Sequence, residues 1–566
     1  MLFTNIQEKL GLHNKSKKRK NPLKRWQFWT VCVFAACIVL ITVLAVQLTK
    51  EKHPHPKKKP AAQTTVTPPE LTSTAKNSSA PNPNELYRGY KVVEIDQNDS
   101  TGSINATLQL IGDAIDVFGT DVDSLQLLVE YQDKNRVNVK IQPVDLSHTY
   151  VLPDDYLNRP TADQGFSKSD SNLIFQYEKD PFTFNITRKD TNEVLFSTTG
   201  NPLVFSNQFL QFNTSLPQDH TISGLGESYH RYINEAGSVR TLFASDKSTI
   251  PDANLYGTHP VYYDERSTGS HAVYWRSSAP QEVLVEDQSL TWRSISGIMD
   301  LYFFAGPTVP DAISQFVSSI GKPTLQPYWA LGYHQSRWGY DSIEKLETVV
   351  QNFKKKSIPL ETIWSDLDYM YKSRDFTSDP TSFPESNFTS FINGLHSSNQ
   401  HYIPIVDPAI YYPKSNEVYD IYNSGLQHDA YLKNPDGSLY VGKVWPGATV
   451  FPDFFADSTG EWWTQMLSTW HGKVPFDGLW IDKNEPISHC EGSCGNEPSG
   501  YPTAEYNNTV EGRGNINTPP YTLSIVSDNG PTLDSHFVAP NATHVDGALE
   551  YDLHNLFRSI CCALGR

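Results

Sequence analysis

Basic residues are scarce in most of this chain. It has 566 residues and a formal net charge of −17 at pH 7. The first 59 residues hold thirteen Lys or Arg and only two acids, Glu8 and Glu51, so they carry +11 and the remainder carries −28. Proteins bind nucleic acids largely by placing Lys and Arg against phosphates. A body this acidic therefore argues against a nucleic-acid partner.

Cysteine is also rare, and its spacing limits the sites it can form. The six cysteines fall into three local pairs: Cys32 and Cys37, Cys490 and Cys494, and Cys561 and Cys562. In an oxidising compartment we expect Cys490 and Cys494 to form a disulfide. A zinc pair is the alternative, but it requires a second pair of ligands, and the sequence has none at suitable spacing. Short repeats of the solenoid type are absent as well.

The N-terminal region contains one long uncharged run. Residues 28–46 carry no charge, and a run of this length spans a hydrocarbon core of ~30 Å. A secretory signal peptide is the alternative, but its apolar region is shorter, about 7–15 residues, and ends at a small-residue cleavage site. We predict a cytoplasmic basic tail at 1–25 and a transmembrane signal anchor at 26–48. The protein would then be a single-pass type II membrane protein with a lumenal or extracellular body.

Two changes in composition divide the rest of the chain. Residues 49–85 are rich in Pro, Thr and Ser and poor in apolar residues, which predicts a linker. Residues 86–322 contain short alternating runs separated by turn residues, which predicts a β-sandwich. This region and its flanks also carry N-glycosylation sequons, which fit an exported body. The sequons open at Asn77, Asn98, Asn105, Asn185, Asn213, Asn387, Asn507 and Asn541.

Strands and helices alternate in residues 323–566, which predicts a parallel (β/α)₈ barrel. Apolar strand segments lie at 329–340, 360–370 and 401–410, and helical segments lie at 341–357, 384–398 and 461–473. Asp341 is the expected N-cap of the first helix, with Glu344 completing a capping box. The stretch Gly478–Pro486, GLWIDKNEP, begins as an apolar strand that we expect to be buried on both faces.

Acids follow the predicted barrel strands. Asp366 and Asp368 end the second strand, Asp407 ends the third and Asp482 ends the fourth. Because parallel strands present their carboxyl ends at one mouth, we expect these acids to gather there. The alternative is structural: the acids would cap helices and pair with arginines such as Arg337 or Arg374.

Several motifs resemble glycoside hydrolase family 31, the α-glucosidases and maltase-like enzymes. In the order of the family they are GLGE (224–227), SDKSTIPDANLYGTHPVYY (245–263), HQSRWGY, WSDLDYM, RDFT, VDPAI, VWPGATVFPDF and WIDKNE. The resemblance runs from about residue 86 to 556. It implies a galactose mutarotase-like N-terminal sandwich whose loop, carrying Asp246 and Tyr256, reaches over to the pocket of the barrel.

The resemblance also implies roles for individual residues. Asp482 is the nucleophile and Glu485 supports it. Asp366 and Asp246 bind the substrate. The apolar walls of the sugar pocket are Trp338, Ile410, Trp445 and Phe451.

The sequence departs from the family in two places. Lys483 stands where the family usually has Met or another apolar residue. A cation there would stabilise the Asp482 carboxylate and crowd the sugar site. The family's acid/base, an Asp in a downstream GD motif, is absent, because the family-like sequence gives way to RSICCALGR at 558–566. We therefore expect a C-terminally truncated chain, an incomplete barrel and little turnover.

The resulting expectation is a retaining α-glucosidase-type hydrolase that acts on α-linked gluco-oligosaccharides from the non-reducing end, without a metal or cofactor. One alternative is a non-catalytic carbohydrate-binding or regulatory fragment. Another is a related activity on the same scaffold, such as an α-xylosidase, transglycosylase or lyase. The sequence does not predict the oligomeric state.

Overall fold

The computed structural model describes residues 82–246, 251, 253–494, 507–525, 532–533 and 536–557. All of them belong to one compact unit, 81–566. The predicted tail at 1–25 and the predicted anchor at 26–48 lie outside the described residues. Within the described ranges, no helix combines the length and apolar character needed to cross a bilayer. This finding corrects the predicted location as a single-pass type II membrane protein.

The N-terminal part of the described chain is built of antiparallel strands. Helix α1, Pro83–Leu86, precedes them. The strands are β1 Tyr90–Gln97, β2 Ile104–Leu110, β3 Ser124–Asp133, β4 Arg136–Pro143, β5 Leu173–Lys179, β6 Phe182–Arg188, β7 Val194–Ser197, β8 Val204–Ser206, β9 Phe209–Ser215, β10 Thr221–Gly224, β11 Ser238–Leu242, β12 Val261–Arg266, β13 Gly269–Trp275, β14 Gln281–Val285, β15 Ser289–Ser294 and β16 Met299–Phe304.

Two large sheets pack face to face and form the predicted sandwich. One has the strand order β1-β2-β3-β4-β16-β13-β12-β10, and the other has the order β11-β14-β15-β9-β8. Strands β5, β6 and β7 form a smaller sheet. Trp275 on β13 and Trp292 on β15 are fully buried, and their rings lie 5.6 Å apart between the two sheets. Alternation along the strands places one apolar face of each sheet in this core, as the sequence pattern predicts.

Helix α2, Val309–Ile320, leads from the sandwich to the barrel region. Thr308 and Asp311 form a capping box at its N-terminus, and Gly321 at its C-terminus has φ +99°. A positive φ is accessible to glycine without steric cost, so Gly321 turns the chain out of the helix.

The barrel region alternates strand and helix. Its elements are β17 His334–Gln335, α3 Ile343–Lys355, β18 Thr362–Ser365, α4 Glu385–His396, β19 His401–Val406, β20 Ile410–Tyr411, α5 Asp420–Gln427, β21 Gly442–Val444, β22 Gly447–Val450, α6 Asp457–His471, β23 Trp480–Ile481, β24 Thr509–Val510, β25 Gly514–Asn515 and α7 Glu550–Leu553. Strands β17, β18, β19 and β23 form a parallel sheet in that order. The predicted alternation and strand order are confirmed, whereas the predicted incompleteness of the barrel and the exact domain boundaries stay predictions.

Two local expectations differ from the structure. Ser342, not Asp341, caps α3 by accepting a hydrogen bond from the Lys345 amide, while Asp341 forms an ion pair with the Lys345 ammonium at 2.7 Å. The strand expected to be buried on both faces is short and half-buried: Trp480 and Ile481 keep partial exposure, and Trp480 packs against Trp364 with ring centroids 5.7 Å apart.

Candidate active site

The acids that follow the parallel strands lie at one edge of the sheet. Val406 pairs with Ile481 in the parallel ladder, so Asp407 and Asp482 are the next residues on adjacent strands. Asp366 follows β18, the strand on the other side of β19. The predicted gathering of carboxylates at the mouth is therefore present in the fold.

Asp482 is half-buried at the end of β23, and the two polar residues that follow Lys483 are buried. Asn484 is 3% exposed and Glu485 is 4% exposed. The Oδ1 atom of Asn484 is buried without a hydrogen-bond partner among the described residues. A buried amide oxygen without a partner costs free energy of folding. The turn is therefore not optimised for stability alone, which is typical of a functional site.

Asp366 is half-buried and partly constrained. Its Oδ1 accepts a hydrogen bond from the Leu367 amide at 2.7 Å. Partial burial raises the pKa of Asp366, and the neighbouring carboxylates of Asp368 and Asp482 raise it further, although the bond from Leu367 opposes them. Asp368 is engaged separately, because its Oδ2 accepts from the Gly339 amide at 2.7 Å.

Asp407 and Asp375 form a buried acid pair behind the mouth. Asp407 is 3% exposed, and its amide donates to Asp375 Oδ1 at 2.9 Å. Burial raises the pKa of Asp375 to about 8. Burial and the nearby carboxylates of Asp375 and Asp482 raise the pKa of Asp407 well above its ordinary value. The charged forms of both acids are thus disfavoured by burial and by their proximity to each other.

Lys483 adds a positive charge to this cluster. Its Nζ makes a short ion pair with Asp246 Oδ2 and lies 5.4 Å from the centre of the Trp445 ring. Burial alone lowers the pKa of Lys483, but the bond and charge of Asp246, with Asp482 and Asp407, raise it overall. Lys483 is therefore an ammonium in the folded protein.

Asp246 belongs to the sandwich region and confirms that its loop reaches the barrel mouth. Ser245 and Tyr256 form an isolated antiparallel bridge that supports the loop. Burial raises the pKa of Tyr256, followed by the charges of Asp246 and, more weakly, Asp482. Tyr256 as a residue is 41% exposed.

The four residues expected to wall the pocket fall into two groups. Ile410 and Phe451 are fully buried, at 0% and 1% exposure, where β20 and β22 pair. Trp445 and Trp338 are open to solvent, at 49% and 76% exposure. Exposed tryptophan faces suit stacking on sugar rings, whereas Ile410 and Phe451 belong to the buried core and present no surface to a ligand.

Cys490 and Cys494 form a disulfide with Cα atoms 6.2 Å apart. The bridged turn is attached to β21 and the residues before it: the Cys494 amide donates to the Val441 carbonyl at 2.6 Å, and the His489 amide donates to the Lys443 carbonyl at 2.8 Å. The disulfide thus fixes the segment that follows the Asp482 turn.

Sequence reasoning did not single out Asp375 as a site residue, although it noted the RDFT motif that contains it. It also did not anticipate that Lys483 binds Asp246, a residue 237 positions away. The position of Asp375 directly after Arg374, within the RDFT motif, was the only local feature that could have indicated this acid. No local pattern identifies the partner of Lys483.

Two regions of the chain match known domain families. Residues 128–283 match the N-terminal galactose mutarotase-like domain of glycosyl hydrolase family 31. Residues 323–561 match the TIM-barrel domain of the same family. Both regions thus match domain models of glycosyl hydrolase family 31. These matches support the family that the motifs predicted.

Named relatives of this family are similar over most of the chain. Glucoamylase 1 of Candida albicans is 46% identical over 540 residues, which cover 85% of this chain and 57% of that protein. Alpha-glucosidase of Aspergillus niger is 37% identical over 575 residues, which cover 86% of this chain and 58% of that protein. The chain thus spans little more than half the length of these relatives.

A crystal structure of a glucosidase II alpha subunit, bound to Glc1Man2, has the same fold. It superimposes with a TM-score of 0.68 at 18% identity and covers 85% of this chain and 56% of that one. At this identity the likeness concerns the fold alone.

Proposed function

We propose that this protein is a retaining α-glucosidase-type hydrolase that cleaves α-linked gluco-oligosaccharides from the non-reducing end. The observation that carries the proposal is the convergence of Asp366, Asp407 and Asp482 at the carboxyl edge of a family 31 barrel sheet. The names of the relatives, glucoamylase and alpha-glucosidase, support the same substrate class.

In the proposed reaction the Asp482 carboxylate attacks the anomeric carbon of a glucosyl unit. The bond to the leaving oxygen breaks, that oxygen takes a proton, and a glycosyl-enzyme ester forms on Asp482. Water then attacks the same carbon and gives its proton to the base form of the acid that protonated the leaving oxygen. The ester bond to Asp482 breaks, and glucose leaves with retained configuration. Asp482 acts as the carboxylate in this step, because the nucleophile of a retaining glycosidase attacks in its ionised form.

The proton required by the leaving oxygen comes from a second carboxylic acid, about 5–5.5 Å from the nucleophile in retaining enzymes. We assign this role to none of the described acids. Asp366 is proposed to accept hydroxyl hydrogen bonds from the glucosyl unit, and Asp407 lies buried at 3% exposure with its neighbour Asp375. Asp246 is engaged by Lys483.

Substrate binding is proposed to use both carboxylates and aromatic faces. A carboxylate accepts more than one hydroxyl bond, which suits Asp366 for recognising the terminal sugar. The exposed faces of Trp338 and Trp445 cover the C–H faces of sugar rings. Glu485, buried two residues beyond Lys483, is proposed to support the turn that positions Asp482.

The test is covalent labelling with a fluorinated α-glucosyl fluoride, followed by peptide mass spectrometry. Fluoride leaves with little help from an acid, so the label reports the nucleophile independently of the proton donor. We expect one glucosyl adduct, on Asp482. Asp482→Asn should remove it, and Asp436→Asn, in an exposed turn where Asp436 Oδ1 accepts a hydrogen bond from the Ser438 amide, should retain it. A label on another side chain would refute the assignment.

A further inference from the structure

Lys483 occupies a left-handed backbone conformation in the turn that carries Asp482. Its φ is +58°, in the left-handed region, and it directly follows Asp482 at the end of β23. A residue with a Cβ is strained there, and such strain persists where surrounding contacts hold it. From this turn the side chain places its ammonium group against two neighbouring side chains.

Those groups are two residues proposed to bind substrate. The ammonium pairs with Asp246, and the side chains of Lys483 and Asp246 are only 16% and 15% exposed. The same ammonium lies over the ring of Trp445 at 5.4 Å. A pair this far from solvent is screened little by salt, and a cation over an aromatic face adds further attraction.

This arrangement limits what Asp246 and Trp445 offer to a ligand. A carboxylate bound to an ammonium has fewer free lone pairs for sugar hydroxyls. The Trp445 face beneath the cation is less available to a sugar ring, although the residue as a whole is 49% exposed. Within the described part of the chain, Asp366 forms no ion pair, and its Oδ1 accepts a hydrogen bond from the Leu367 amide.

We propose that Lys483 is a specificity-determining residue that withholds Asp246 and Trp445 from sugars beyond the terminal glucosyl unit. The inference rests on the proposed function, because it concerns the same site. It predicts that affinity comes mainly from the first glucosyl unit and that longer α-glucans gain little.

The experiment compares ligands of different length by titration calorimetry. Methyl α-glucoside and a thio-linked maltotriose, whose glycosidic sulfur atoms resist hydrolysis, are titrated into the wild-type chain and into Lys483→Met. Methionine has nearly the length of lysine and the same difficulty with a positive φ, so the backbone conformation is matched while the charge is removed. Lys345→Met, which breaks the exposed pair with Asp341 on α3, is the control.

We expect Lys483→Met to bind maltotriose about tenfold more tightly, because one carboxylate and one aromatic face become free. The affinity for methyl α-glucoside should change by less than about twofold, because Asp366 is unaffected. The control should leave both affinities unchanged. Lys483→Gln, which keeps a hydrogen bond to Asp246 without the charge, should lie between wild type and Lys483→Met.

The outcomes separate the two proposals. Equal affinity gains for both ligands, or an unchanged preference for chain length in both Lys483 variants, would overturn the role of Lys483 and leave the glucosidase proposal standing. Absence of binding by the wild type and every folded variant, judged by circular dichroism, would overturn both.

Discussion

His544 Nδ1 lies 2.8 Å from Asp453 Oδ1, with both side chains buried. The other ring nitrogen of His544 meets Glu550 Oε2 at 3.2 Å, and Glu550 Oε1 meets His554 Nδ1 at 3.0 Å. His554 Nε2 then reaches the Ala244 carbonyl at 2.7 Å, two residues before Asp246. This chain of buried polar contacts joins the barrel, the segment around α7 and the sandwich loop of the candidate site.

The first prediction concerns His544 at high pH. Burial alone lowers the pKa of His544, but the carboxylates of Asp453 and Glu550 outweigh it and raise the pKa to about 10. Because the folded pKa exceeds the unfolded value of 6.5, the stabilisation is complete below pH 6.5 and is lost as pH rises toward about 10. Urea unfolding at pH values from 6 to 10 measures this loss of stability.

Replacing His544 tests the same network at neutral pH. His544→Gln leaves Asp453 and Glu550 buried without a cation between them, which should cost about 3–5 kcal/mol in the free energy of unfolding. The alkaline loss of stability should also flatten. His396→Gln, which breaks a partly exposed pair with Asp477, serves as the control. An equal loss of unfolding free energy in both variants would show that the buried network stabilises the fold no more than a partly exposed pair does.

The second prediction concerns the acid pair behind the mouth. Burial raises the pKa of Asp375 from 3.8 to about 8, so its contribution to stability is complete below pH 3.8 and is lost progressively as pH rises to about 8. Asp375→Asn keeps an oxygen to accept from the Asp407 amide and cannot ionise. We expect the urea midpoint of the variant, relative to that of wild type, to rise as pH increases from acidic values and to level off above about pH 8. A variant that unfolds at lower urea than wild type in the alkaline range would contradict the raised pKa of Asp375.

The third prediction concerns the disulfide. Cys490 and Cys494 close a short loop, four residues apart in sequence. The chain-entropy relation for such a loop gives about 2 kcal/mol of stabilisation. The double substitution to Ser should lower the free energy of unfolding by that amount, and reducing agent should then have no further effect. If reducing agent lowered the free energy of unfolding of the double variant as much as that of wild type, other cysteines would be responsible for the effect.

The fourth prediction concerns the attachment of the 150–158 loop. Arg276 is 3% exposed and donates to the carbonyls of Leu152 and Pro153 at 3.2 and 2.8 Å. It also lies 3.8 Å from the buried Asp300 carboxylate. Arg276→Met should therefore cost about 3–5 kcal/mol, because carbonyls and a carboxylate lose a buried cation.

The matched control for Arg276 is Arg231→Met, which breaks an exposed pair with Glu235. Exposed pairs contribute little, so we expect no measurable change in urea unfolding. Limited proteolysis should cut the 150–158 loop faster in Arg276→Met than in wild type. Equal cleavage rates would show that other contacts, such as the packing of Tyr156 on Phe455, hold the loop alone.

The sequence by itself determined the alternating strands of the sandwich, the strand–helix alternation of the barrel and the acids after β18, β19 and β23. These features follow from local periodicity and from where apolar runs stop, which neighbouring residues decide. Among these acids, the resemblance of the motifs to family 31 singled out Asp366 and Asp482. Even the error at α3 was local, because Asp341 and Ser342 are both good caps and backbone geometry chose between them.

Only the tertiary structure decided which distant groups meet. Lys483 binds a carboxylate 237 residues away, and His544 meets one 91 residues away. It also decided that Ile410 and Phe451 are buried while Trp338 and Trp445 remain open. Burial and charge partnership depend on how the sandwich packs on the barrel, and no short stretch of sequence encodes that packing. For this reason the chemistry of the acid cluster, set by burial and by one lysine, emerged only from the fold.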